Sequence, residues 1–255
     1  MSRSQGIITR EHITAIAVPI IALLLWELAV RIGLISPRFI STPLEIINKI
    51  IDMSISGELW IHVKASMQRI IIGFLLGVIP GIAIGALMGF SKSIRVILEP
   101  IVALIFPIPK IAILPLLLVF LGLGEASKIA LIALGAIFLT LYNTMSGVRN
   151  LPVIYEEVAE NFGATKMQYI FQVALPGAMP SIITGLRLSL QNSLLLIVAA
   201  EFVGAKEGIG YLIWSSWEIF DVNQMFAGLV TLCAIGYLLS IGTQAIEKRY
   251  ADRTL

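Results

Sequence analysis

Six stretches of this chain are too long and too apolar to be at home in water: residues 13–34, 69–90, 98–121, 126–148, 178–203 and 223–246. A helix needs about 20 mainly apolar residues to cross the hydrocarbon of a bilayer. In that medium every backbone N–H and C=O must be paired within the protein, so only helices and closed barrels span it. Barrel strands alternate apolar and polar residues, whereas these runs are continuous. The expectation is an all-α integral membrane protein of about six transmembrane helices, forming a single domain over residues 1–255. A content of 58% hydrophobic and only 13% charged residues lies outside the range of soluble domains. The first stretch is long, holds Glu27 and Arg31 and lacks a small-residue cleavage site, so it reads as a retained span rather than a leader.

Orientation follows from the cations flanking the spans. An inside N-terminus places Arg3, Arg10, Lys92, Arg95, Arg149, Lys166, Lys248, Arg249 and Arg253 at the cytoplasmic ends. The reverse gathers a smaller set, Arg31, Arg38, Lys49, Lys64, Arg69, Lys128 and Lys206. Both termini and the polar stretch 150–176 are therefore expected in the cytoplasm. A net charge of +2 argues against a nucleic-acid partner. The lone Cys233 allows no internal disulfide and no Cys-based metal site. His12 and His62 stand too isolated for a catalytic triad, and no catalytic or metal-ligating set is expected.

The second stretch carries Gly73, Gly77, Gly81, Gly85 and Gly89, four residues apart and hence on one helix face. Small residues at that spacing admit a second helix to close range. Static packing is the expected use, with a sliding surface as the alternative. In the third stretch Pro107, Pro109 and Pro115 each remove a backbone donor and are expected to bend a continuous helix.

The polar stretch from Asn150 to Pro176 reads as helix, glycine turn, helix. Pro152 is expected in the first turn, with Glu156 and Glu157 near its positive end. Ile154, Val158 and Phe162 share one face, Gly163 stops the helix, and Thr165 with Gln168 is a capping-box pair for the next. Met167, Ile170 and Phe171 follow. Short helices this apolar on one side fit a groove in a partner protein. Lying on lipid headgroups is the alternative, for which an acidic first turn is poorly suited.

Charges inside a membrane are costly and tend to be functional. On the fifth span Thr184, Arg187 and Gln191 fall on one side, with Glu201 partly toward it near the outer end, a polar stripe that suits a water-filled path. Arg187 is a candidate for anion binding; the alternatives are snorkelling or pairing with an acid on another helix. Lys110, among the prolines, is the second candidate, or else a link between helices. Glu27 and Arg31 read as an intrahelical pair, and Asn143 as a hydrogen bond across helices. A short amphipathic helix is expected from about Thr42–Pro43, and 207–224 as a re-entrant or docking segment with Trp214 and Trp217 at the interface.

The spacing Glu157-x-Ala159-x-x-x-Gly163, followed by Val173-x-Leu175-Pro176, resembles the EAA loop of ABC importer permeases, with Val158 and Val173 as mild departures. PIPKIAILPLLLVFLGLGEASK and LPGAMPSIITGLRLSLQNSLLLIVAAEFVGAKEGIGYLI resemble the nitrate, sulfonate and taurine subfamily, over about residues 60 to 250. The resemblance implies a type I permease in a prokaryotic cytoplasmic membrane, working as a homodimeric pair. It implies two cytoplasmic ATPase subunits that hold ATP and Mg, and an extracytoplasmic binding protein, with no cofactor in this chain. It makes Glu157, Ala159 and Gly163 the coupling core, with Glu156, Phe162, Ala164, Leu175 and Pro176 around it. The implied cargo is a small oxyanion, with a vitamin precursor or aromatic acid as the alternative. No G-x-x-x-x-G-K-[ST] phosphate loop occurs, so energy comes from another polypeptide or from an ion gradient. A gradient-driven carrier is the competing class. Against it stand the loop's spacing and the near isolation of Glu201 as a buried acid.

Overall fold

The computed structural model describes the backbone of residues 2–251 and the side chains of residues 14, 15 and 17–250. Arg3, Arg10, His12 and Arg253 therefore lie outside the described side chains. Among the described residues every regular element is helical. The order is α1 Ser2–Arg31, α2 Pro43–Ser56, α3 Glu58–Phe90, α4 Lys92–Ile105, α5 Leu114–Leu121, α6 Glu125–Arg149, α7 Ile154–Asn161, α8 Lys166–Gln168, α9 Leu175–Phe202, α10 Ile209–Glu218 and α11 Val222–Ala251. Among the described residues four helical stretches are long and apolar enough to cross a membrane, Glu58–Phe90, Glu125–Arg149, Lys166–Phe202 and Val222–Tyr250. The pair α4 and α5 makes a fifth if it is one broken span. The first predicted stretch falls on α1, whose N-terminal side chains are outside the described set.

The chain forms two compact units, residues 1–61 with 212–231 and residues 62–211 with 232–255. In the first, Thr42 caps α2 as expected, its Oγ1 accepting from Glu45 N, with Pro43 in the first turn and Gly57 ending the helix at φ +85°. Arg31 Nε donates to Glu27 Oε1 at 2.6 Å, forming the predicted pair. Lys49 pairs with Asp221 at 3.4 Å, and Trp214 packs on Trp217 with ring centres 5.0 Å apart.

The second unit is organised around α6. A Cβ built on Gly77 would lie 2.5 Å from the Ala133 carbonyl oxygen, and one on Gly85 would lie 2.5 Å from that of Leu141. Gly73, Gly81 and Gly89 meet the same helix at Ile132, Ile137 and Val148. The stripe thus lets α3 lie backbone-to-backbone on α6, the static use, because dispersion at that range replaces the hydrophobic drive missing in lipid. The α9 side of α6 is equally tight: Gly185 meets Asn143, Gly147 meets Ser181, and Thr140 Oγ1 lies 2.8 Å from Ser189 Oγ. Ile70, Ile132 and Ile197, from α3, α6 and α9, close one core cluster. Asn143 does not bridge helices; its amide donates to Leu139 O of its own helix at 2.8 Å. The interhelical polar contact is made by Thr140 and Ser189 instead.

One expectation about the spans needs correction. The third stretch is not one bent helix, because α4 stops at Ile105 and the chain re-forms as a 3-10 turn, Lys110–Ile113, and then α5, with 84° between the two halves. Pro107 and Pro109 lack the donors that would continue α4, so its last carbonyls need other partners. Lys110 Nζ supplies them, reaching the Ile105, Phe106 and Ile108 oxygens at 2.9, 3.0 and 2.9 Å. At the other side of the double turn, α8 is continuous with the fifth span. It runs through a π-helical turn, Tyr169–Ala174, into α9. Pro176 cannot donate to the chain one turn back, and widening to a π turn is a common accommodation of such a gap.

Candidate functional site

The polar stretch between α6 and α9 is a rigid double turn. Pro152 precedes α7 rather than lying in it, and its carbonyl accepts from Tyr155 N at 3.0 Å. At the other end Ala164 N bonds to Ala159 O and Gly163 N to Glu160 O, both at 2.9 Å. This paired closure is a Schellman motif and requires a left-handed residue, which is Gly163 at φ +73°. The next residues form the predicted capping box: Gln168 N donates to Thr165 Oγ1 at 3.3 Å, and Thr165 N to Gln168 Oε1 at 2.8 Å. Two successive caps, made by bonds between near neighbours in the chain, direct the second helix relative to the first.

This geometry sorts the side chains. Ala159 is the buried residue of α7 and lines a cleft with Phe90, Ala164, Tyr169 and Ile170. Phe162 is 86% exposed, and Val153, Ile154, Val158, Met167 and Phe171 are also exposed, as are Glu156 and Glu157. The apolar face read from the sequence therefore points away from the chain's own bundle. Leu175 and Pro176 open α9 beneath it.

The expected translocation residues do not converge within the chain. Arg187 Nη1 donates to Glu247 Oε2 of α11 at 2.6 Å, and Thr184 Oγ1 donates to Glu247 Oε1 at 3.2 Å. Pairing with an acid on another helix is thus the arrangement present. Gln191 is exposed further along α9. Lys110 is occupied by the three carbonyls at the α4 break and lies 4.7 Å from the centre of the Phe138 ring. Glu201 is separate from all of them, at the end of α9 remote from the double turn.

Glu201 is not an isolated acid, because Arg69 reaches it, a partner that sequence reading missed. Arg69 Nη1 donates to Glu201 Oε1 at 2.7 Å and to Glu207 O at 2.6 Å, while Nε and Nη2 take both oxygens of Glu125 at 2.5 and 2.7 Å. Ser66 Oγ and Gly210 N donate to Glu201 as well, at 2.8 Å each. Lys128 is buried beside them, donating to the Leu123 and Gly124 carbonyls. Gly208 N donates to His62 Nδ1 at 3.2 Å. The signal for it in the sequence is a basic residue at the edge of an apolar run, which by itself bears only on orientation.

A broken helix, a glycine-packed bundle and an exposed double turn together describe a polytopic membrane protein. Residues 73–252 match the family described as binding-protein-dependent transport system inner membrane component. The chain is 33% identical over 247 residues to the taurine transport system permease protein TauC of Escherichia coli (strain K12), covering 95% of this chain and 90% of that protein. It is 35% identical over 231 residues to the putative aliphatic sulfonates transport permease protein SsuC of Bacillus subtilis (strain 168), covering 91% and 84%. Among solved structures, an inward-facing MetNI methionine ABC transporter matches with a TM-score of 0.65 at 20% identity, over 76% of this chain and 98% of that one, a likeness of fold. The chain belongs to the binding-protein-dependent inner membrane component family, as an ABC importer permease subunit.

Proposed function

We propose that the 150–176 double turn is the surface through which a separate ATPase drives this permease. The exposed apolar face of that turn carries the reading: Val153, Ile154, Val158, Phe162, Met167 and Phe171 face outward from a backbone held by two caps. Covering a large apolar side chain is worth about 1.5–3 kcal/mol, so a matching groove would gain substantially from several of them. Rigidity is needed as well, because a flexible loop would absorb a partner's motion instead of passing it to α6 and α9. Glu156, Glu157, Ala159, Phe162, Gly163, Ala164, Leu175 and Pro176 form this coupling element. ATP and Mg are held by the partner, and this chain contributes no cofactor.

The double turn then lies in the cytoplasm, with both termini. Two permease copies pair with two ATPase subunits, and a binding protein delivers solute on the other side. ATP-driven closure shifts the double turn and alternates access, which requires each state to bind its ligands with different affinity. The names of TauC and SsuC favour a sulfonate, a small oxyanion, as cargo. Lys110, Thr184, Arg187, Gln191 and Glu201 remain the residues assigned to the path and its flanks. In support, Arg187 Nε is buried without a partner among the described residues.

Gentle extraction of the tagged chain, with mass spectrometry of what accompanies it, tests the reading. A stoichiometric ATPase that is lost on Gly163→Val is the expected result. A chain that transports alone in liposomes overturns it in favour of a gradient-driven carrier.

A further inference from the structure

The buried charges around Arg69 are arranged asymmetrically. The Arg69 and Glu201 side chains are 6% and 0% exposed, but that of Glu125 is 62% exposed. Glu201 is held from three directions, by Ser66, Arg69 and Gly210 N, whereas the hydrogen bonds of Glu125 among the described residues both come from Arg69. Glu125 opens α6 directly after Leu121–Gly124, a turn in which Gly122 has φ +76° and no described atom lies within 4 Å of a Cβ built on Gly122 or Gly124. From Ile129 onward α6 is clasped to α3, since a Cβ on Gly73 would lie 2.8 Å from the Ile129 carbonyl oxygen. Residues 121–126 are exposed, with Glu125 the one among them bonded to Arg69, whereas Ser127 and Lys128 just behind them are buried. A cleft of about 510 Å³ lies between this segment and residues 204–207, floored by Arg69 and Lys128.

We propose that Glu125 is the releasable arm of a latch, with Arg69 and Glu201 as its fixed post. In the latched form the glycine turn is held to α3 and meets the 204–207 segment, where a Cβ on Gly204 would lie 3.4 Å from Leu123 Cβ. Release lets that turn swing and widens the cleft at the end of the bundle opposite the double turn. Charge balance favours this division. Lys128 lies three residues beyond Glu125 and ties itself to the Leu123 and Gly124 carbonyls, so it stays with the turn. Release splits four charges into two neutral pairs, Arg69 with Glu201 and Lys128 with Glu125. Opening at Glu201 would instead leave a fully buried carboxylate without its counter-ion, a costly state. The use of the latch in a transport cycle rests on the ATP-driven reading above; its mechanics do not.

The test uses the full chain in membranes with Cys233→Ser and a reporter Ala205→Cys in the cleft. Without ATP or any partner, Glu125→Gln is expected to raise the rate of labelling by a charged maleimide at least threefold; an unchanged rate overturns the latch, whatever becomes of the ATP-driven reading. A Leu123→Cys/Gly204→Cys pair is expected to cross-link on oxidation, since bridged Cβ atoms stand about 3.5–4.5 Å apart. Because Gly204 has φ +71°, where Cys is strained, the Gly204→Cys single variant is the control; failure to cross-link in a double variant whose single-variant control keeps normal stability overturns the closed geometry. In the assembled transporter the cross-link is expected to cut uptake at least tenfold, with recovery on reduction. Full uptake by the cross-linked chain overturns the latch's part in transport.

Discussion

At its Arg149 end, α6 leads into a turn whose direction is set by backbone bonds among residues 159–168, with Gly163 and Thr165 as the pivots. At its Glu125 end, position is set by side chains from residues 66, 69, 125 and 201, brought together from three helices and sealed by Gly210 N. The first end presents apolar groups outward on a stiff local frame. The second hides charges inside and leaves one acid at the surface. A local frame can transmit a push without depending on what the helices beneath it do. A cluster drawn from several helices responds when those helices move apart. The contrast suits a molecule driven from one end and opened at the other.

The sharpest way to break this comparison is to unbalance the charged end. Arg69→Met leaves Glu201 buried without its counter-ion, and stability is expected to fall by about 3–5 kcal/mol, read as an earlier thermal transition in detergent. Arg69→Met/Glu201→Met should recover most of that loss, because apolar replacement of a whole buried pair is often neutral. A double variant no better than the single one would show that charge balance does not organise this end. Between the two ends, Gly85→Leu forces α3 off the Leu141 carbonyl, and overpacking of this kind costs about 1–3 kcal/mol. An unchanged melting profile would contradict the backbone contact seen there.

The double turn should respond differently, with function lost before stability. Gly163→Val places a branched residue in a left-handed conformation, costing about 1–2 kcal/mol, and no described atom crowds the site. The melting transition is expected to shift by no more than that of Gly85→Leu while uptake and ATPase capture disappear; normal uptake would end the coupling role. The smallest effect is expected from Thr165→Ala, which removes a cap worth about 1 kcal/mol. Faster amide exchange at residues 166–174 with no change in α6 would confirm that the frame is local, and faster exchange throughout α6 would refute it.

Legibility in the sequence followed the same division. Gly163 and the Thr165–Gln168 pair were readable because their partners lie within five residues. The glycine stripe was readable because a repeat of four places residues on one helix face whatever packs there. The prolines announced a disturbance in the third span, but whether α4 bends or breaks depended on a cation being at hand, and Lys110 provides it. Arg69 was read only as a topology marker, since nothing near it in the chain hints at Glu125 or Glu201. Arg187 was read as a candidate for anions, and its engagement by Glu247 needed the return of α11.

The sequence by itself determined that this protein lives in a membrane, is helical, and carries a capped, outward-facing double turn. Those properties come from transfer free energy and from backbone bonds between near neighbours, both of which act along the chain. The tertiary structure alone decided which charges meet. Coulombic partners are chosen by distance in space, and residues 69, 125 and 201, far apart in sequence, come together only when α3, α6 and α9 pack along their small-residue faces.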